Sequence, residues 1–121
     1  MKGQRRSRVS EMILQLLSEL IRGKLKDPRI GFTTVTKVDV SPDLSNCRVF
    51  VTTLGDEQAQ QESLDGLRSA SGFLRRELAQ QLALRKVPEL HFSEDKELHR
   101  AEHIFEIMAK LKRERKEPED G

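Results

Sequence analysis

The run Phe32-Thr33-Thr34-Val35-Thr36-Lys37-Val38-Asp39-Val40, the turn Ser41-Pro42-Asp43 and the run Cys47-Arg48-Val49-Phe50-Val51-Thr52 together decide the fold. β-Branched residues crowd both runs, and side chains along a strand alternate between its two faces. The first run predicts Phe32, Thr34, Thr36, Val38 and Val40 on one face and Thr33, Val35, Lys37 and Asp39 on the other. The second sets Cys47, Val49 and Val51 against Arg48, Phe50 and Thr52. Two such runs joined by a Ser-Pro-Asp turn read as an antiparallel hairpin.

Upstream of the hairpin, Val9, Met12, Ile13, Leu16, Leu17, Leu20 and Ile21 recur at helical spacing, which predicts one apolar stripe on a helix from Arg6 to Leu25. Asp27-Pro28 closes it, because the residue before proline is steered out of the α region. Downstream, Gln58 to Leu84 is helical in composition, with Leu64, Leu67, Leu74, Leu78 and Leu82 as the buried row. Ser69-Ala70-Ser71-Gly72 predicts a kink or break there, since glycine costs about 1 kcal/mol relative to alanine inside a helix. After Pro88, Leu90-His91-Phe92-Ser93 reads as a third strand, and the long helical excursion before it is what a parallel crossover requires. Asp95 is placed to cap a last helix whose apolar stripe is Leu98, Ala101, Ile104, Phe105, Met108 and Leu111. The order is αββααβ plus a C-terminal helix. That is an α+β domain, a three-stranded mixed sheet packed on helices, in the order of the type II KH fold. Residues 1–111 are expected to form this single KH-like domain, and residues 112–121 a charged, mobile tail.

A length of 121 residues suits one hydrophobic core. The lone Cys47 excludes an internal disulfide and, alternating with Val49 and Val51, reads as a small core residue. Phe32, Phe50, Phe73, Phe92 and Phe105 fall one per element, which is the spacing of core residues and not of a base-stacking sheet. The chain has no 18-residue apolar run and no signal-type segment, so a cytoplasmic location is expected. No P-loop, nucleophile elbow or paired-carboxylate site occurs, so neither catalysis nor a cofactor is expected. His99-Arg100-Ala101-Glu102-His103 formally matches the H-x-x-E-H zinc-peptidase pattern, but no third ligand segment follows and no metal site is assigned.

The net charge of +2 hides an asymmetry. Residues 1–30 hold eight Lys or Arg against three acids, and residues 31–60 two against four. A local basic field draws polyanions whatever the net charge. Arg5, Arg6, Arg8, Arg22, Lys24, Lys26 and Arg29 flank the first helix at both ends. Arg68, Arg75 and Arg76 bracket Ala70-Ser71-Gly72, where glycine would let a phosphate approach a helix N-terminus. Arg85 and Lys86 are weaker candidates in the loop before the third strand. The competing reading is an ordinary solvated surface, its arginines paired with Glu62, Asp65 or Glu77 at helical spacing.

Four strings carry a family resemblance: Lys26-Asp27-Pro28-Arg29-Ile30-Gly31 with Thr36 to Leu44, then Ala70 to Leu78, then Leu84 to Phe92, then Leu98 to Leu111. In that order they closely resemble the ribosome-binding factor A family over roughly residues 5–111. The resemblance implies a monomeric bacterial ribosome assembly factor that binds the small (30S) subunit and its 16S rRNA late in maturation. It also implies help with processing of the rRNA 5′ end and an association with cold adaptation, with no membrane and no small-molecule substrate. KH domains ordinarily clamp four nucleotides with a Gly-x-x-Gly loop. In this family an Ala-x-Gly kink replaces the loop, and Ala70-Ser71-Gly72 matches it, so shape and phosphate recognition should outweigh base identity. His103 departs from the family's arginine at that position. The rival reading is a protein-binding adaptor with an incidental basic surface, which salt titration would separate by its shallow slope.

Overall fold

The computed structural model describes the backbone of residues 2–120 and, within it, the side chains of residues 6–97, 101 and 103–113. Helix α1 (Lys2–Gly23) forms on the expected stripe: Val9, Ile13, Leu16, Leu17, Leu20 and Ile21 are buried, and Met12 sits at its exposed edge. It ends at Gly23 rather than Leu25. The Leu20 carbonyl accepts from both the Lys24 and Leu25 N–H, and the Asp27 carboxylate then takes the Arg29 N–H at 2.9 Å.

Strand β1 (Thr33–Val40) pairs antiparallel with β2 (Asn46–Thr53), which pairs parallel with β3 (Glu89–Glu94), in the order β1-β2-β3. The mixed sheet is therefore as expected, but the faces of β1 are not. A bulge at Thr36 shifts the register, so Val35 lies opposite Val51 while Val38 and Val40 lie opposite Val49 and Cys47. One extra residue inverts a period-two pattern, which puts Val35 on the same core-facing side as Val40. The Thr36 hydroxyl anchors the bulge by donating to the Asp95 carboxylate at 2.6 Å. In the hairpin turn, the Asp43 carboxylate accepts from the Ser45 and Ser41 hydroxyls and the Ser45 N–H, and these bonds hold its pKa down at about 2.

Helices α2 (Glu57–Ser69) and α3 (Ser71–Leu82) meet at Ala70, so the expected break is present. The Asp56 carboxylate caps α2 through the Ala59 N–H at 2.9 Å. At the joint the Ala70 N–H is shared between the Gly66 and Leu67 carbonyls, both 3.1 Å away, and the chain bends through this one residue. Helix α3 ends at Ala83, whose φ of 49° is left-handed and usually falls to glycine. Replacing Ala83 by glycine should stabilise the fold by about 0.5–1 kcal/mol. A melting temperature that stays level or falls would contradict this.

One core gathers α1, the inner face of the sheet and the buried rows of α2 and α3. Cys47 lies fully inside it, and burial, aided by the charge of Asp39, pushes its thiol up to about 12. An unfolded cysteine titrates near 8.5. The thiol's contribution to stability is therefore full below about 8.5 and is lost as pH rises toward about 12. At pH 8, iodoacetamide should label Cys47 far more slowly in buffer than in urea, and equal rates would contradict the burial.

Helix α4 (Lys96–Asp120) continues through 112–120, the segment expected as a tail. Among the described residues it gives nothing to the core, and Ile104, Phe105, Ile107, Met108 and Leu111 are exposed. The phenylalanines also divide. Phe92 is buried and Phe73 packs against the core, but Phe32 and Phe105 are 77% and 72% exposed, and Phe50 lies half-buried on the sheet face opposite α1, α2 and α3. The expectation of core spacing fails for these three, because one aromatic per element says nothing about which face carries it.

Candidate nucleic-acid interface

The helical layer sets the positions of the basic side chains. Helix α1 packs on β1 and against α3, while α2 packs on β3 and β2. Helix α3 runs back along α1: Met12, Leu16 and Glu19 face Gln81 and Leu82, and Lys24 reaches Glu77 at 3.8 Å. The connection from α1 to β1 is clamped on α2. The Ser63 hydroxyl donates to the Arg29 carbonyl at 3.3 Å and accepts from the Gly31 N–H at 3.0 Å. Ile30 lies directly over Gly66, where a Cβ would stand only 2.6 Å from Ile30 Cγ1. This close approach fixes Arg29 beside the end of α2.

The structure divides the predicted basic set by what each side chain already holds. Arg29 grips Asp27 with Nε at 3.1 and 3.2 Å and Nη2 at 2.6 Å. Those hydrogen bonds lower the Asp27 pKa and raise that of Arg29. Arg68 pairs with Asp65 at 3.6 Å and donates to the Phe92 carbonyl at 3.2 Å, and Arg75 donates to the Val87 carbonyl at 3.1 Å. Lys24 pairs with Glu77, so these four side chains already hold partners within the fold, Arg68 alone of them at the helical spacing of the solvated-surface reading. In contrast, Arg6, Arg8, Arg22, Lys26, Arg76, Arg85 and Lys86 are exposed, with no hydrogen bond or ion pair among the described residues. The side chain of Arg5 lies outside the described residues.

The side chains brought together fall into two groups. The Lys24–Glu77 bridge ties the end of α1, which carries Arg22 and leads to Lys26, to the part of α3 that carries Arg76, and Arg85 and Lys86 sit on the loop that Arg75 ties to α3. Arg6 and Arg8 are apart, roughly 21–24 Å along α1 from Arg22 at 1.5 Å per residue. At the joint, Ala70 and Ser71 are half-buried and Gly72 is exposed. A Cβ at Gly72 would meet only Arg76 Nη1, at 3.6 Å, so internal packing does not require the glycine. No side chain caps the N-terminus of α3, which leaves that end open to an anion.

The outer face of the sheet carries Phe50, which its spacing in the sequence had placed in the core. There Lys37 Nζ lies 5.7 Å and the Arg48 guanidinium 5.2 Å from the centre of the Phe50 ring. Part of the signal was visible in the alternation of Arg48, Phe50 and Thr52. The bulge, which brings Lys37 opposite Phe50, was not.

Among the described residues no group of three or more His, Cys, Asp or Glu is placed to hold a metal. Of the H-x-x-E-H pattern, the side chains of His99 and Glu102 lie outside the described residues and His103 is exposed. No described helix is long and apolar enough to cross a membrane.

An αββααβ sheet-and-helix domain, with cations that lack internal partners among the described residues and a glycine at the helix joint, defines a type II KH-like protein. Comparison with known proteins narrows the class. The family model Ribosome-binding factor A matches residues 5–108. The chain is 43% identical over 119 residues to the ribosome-binding factor A of Desulfitobacterium hafniense, covering 98% of this chain and 95% of that one. It is 38% identical over 121 residues to that of Thermomicrobium roseum, covering 100% and 94%. The crystal structure of the Thermus thermophilus ribosome-binding factor A superposes with a TM-score of 0.67 at 29% identity, over 74% of this chain and 93% of that one. A Thermus thermophilus homology model, fitted into a cryo-EM map of its complex with the 30S subunit, gives 0.60 at 31% identity, over 69% and 88%. The chain belongs to the ribosome-binding factor A family.

Proposed function

We propose that this chain is a cytoplasmic, monomeric assembly factor that binds the 30S subunit through its 16S rRNA and catalyses no step itself. It assists late maturation, including processing of the rRNA 5′ end, by occupying and shaping a site on the immature particle. The observation that carries the reading is the set of exposed cations without internal partners among the described residues, Arg76 of them beside the uncapped α3 N-terminus. Such side chains need no internal bond broken before they meet phosphate, and counterion release then drives binding. The relative fitted into a 30S complex supports the same partner. Binding resides in residues 1–111, with 112–121 as a charged appendage.

Co-sedimentation with immature and mature small subunits tests the proposal. It expects the chain to travel with the immature particle in preference to the mature one. Cells lacking the protein should accumulate 16S rRNA with an extended 5′ end, more so in the cold. Equal partition to both particles, or correctly trimmed 5′ ends in its absence, would count against it.

A further inference from the structure

We propose that the outer face of the sheet is a second RNA contact, which takes an unpaired base on the Phe50 ring while the helical side holds phosphates. This rests on the proposed function for its partner but on separate residues for its chemistry. Phe50 is on the central strand, facing away from α1, α2 and α3, with Lys37 opposite it on β1, Ser93 opposite it on β3 and the first turn of α4 at the rim of the hollow it faces. Two residues back along β2, Arg48 stands opposite His91. Phe50, Arg48 and His91 are the three kinds of flat group on which proteins stack unpaired bases, here set on adjacent strands about 5 Å apart. Lys37 and Arg48 already lie over the ring, at 5.7 and 5.2 Å. The ring is half-buried and faces a hollow of about 410 Å³.

The charges favour a nucleotide over a protein side chain. A peptide anchor would need an apolar pocket, whereas this ring lies between two cations that can move onto the phosphate flanking a stacked base. A cation over an exposed ring is held more weakly than a stacked base, so the exchange is favourable. The acids at one rim are turned inward: Glu94 accepts from the Thr53 N–H at 2.8 Å and Asp95 from the Thr36 hydroxyl at 2.6 Å. The exposed acids lining the hollow are Asp39, opposite Arg48, and Glu97, in the first turn of α4, against the cations Lys37, Arg48 and Lys96.

The test titrates the full chain into a short fluorescein-labelled oligoadenylate and follows anisotropy, with thermal unfolding of each variant as a check on folding. Phe50→Leu keeps an apolar side chain without a ring and should weaken binding about tenfold, whereas Phe50→Tyr should retain it. A strand of the same length with abasic sites should bind wild type as weakly as oligoadenylate binds Phe50→Leu. Equal affinity of wild type and Phe50→Leu, or of the base-bearing and abasic strands, would overturn the proposal. Neither result touches co-sedimentation of the wild-type chain with small subunits, whose failure would instead remove the proposed function.

Discussion

Replacing Gly66 by valine is expected to destabilise the protein by about 2–3 kcal/mol, the range for overpacking a filled site. A Cβ at this position falls 2.6 Å from Ile30 Cγ1 and 3.5 Å from Arg29 Cβ. The first is the middle of a branched side chain, already packed against the core, so it cannot simply swing aside. Relief requires moving the α1–β1 connection away from α2, which would break the Ser63 bonds to the Arg29 carbonyl and the Gly31 N–H. Alanine at 66 should cost less, because it adds one methyl group and gains helix propensity over glycine. Urea unfolding of the two variants checks this, and a valine variant within about 0.5 kcal/mol of wild type would mean the contact is slack.

Reversing Arg76, Arg85 and Lys86 to glutamate should weaken binding to small subunits about a thousandfold at 0.1 M salt, since each lost phosphate contact is worth roughly tenfold there. The same triple variant should unfold within about 0.5 kcal/mol of wild type, because none of the three has an internal partner among the described residues. Arg68→Glu should behave in the opposite way. It loses the bond to the Phe92 carbonyl and the Asp65 pair, so it should cost stability while changing binding less. Finding the two patterns exchanged, in sedimentation and in melting, would mean that free and engaged cations have been assigned the wrong roles.

What the sequence could carry follows from the range of the interactions involved. The α1 stripe, the hairpin, the break at Ala70 and the parallel return to β3 rest on local periodicity and local backbone preference, and all are present. The phase of β1 rests on a single inserted residue. Nothing in an alternating run of Thr and Val marks Thr36 as the one left out of the ladder, so Val35 was placed on the wrong face. The basic positions were readable but their states were not. Whether an arginine is free depends on groups distant in the chain: Arg75 on the Val87 carbonyl, Arg68 on that of Phe92, Lys24 on Glu77. Phe50 was read as a core residue for the same reason, because Lys37 joins it only through pairing across the bulge.

The claim on which the account turns is that cations without internal partners recognise ribosomal phosphates. The salt dependence of the wild-type chain's affinity for immature small subunits tests it most directly. Each neutralised duplex phosphate contributes about −0.9 to the slope of log affinity against log salt, so engagement of both groups around α3 predicts a slope steeper than about −4. A slope between zero and about −1 would contradict the account and point to a protein-contacting adaptor.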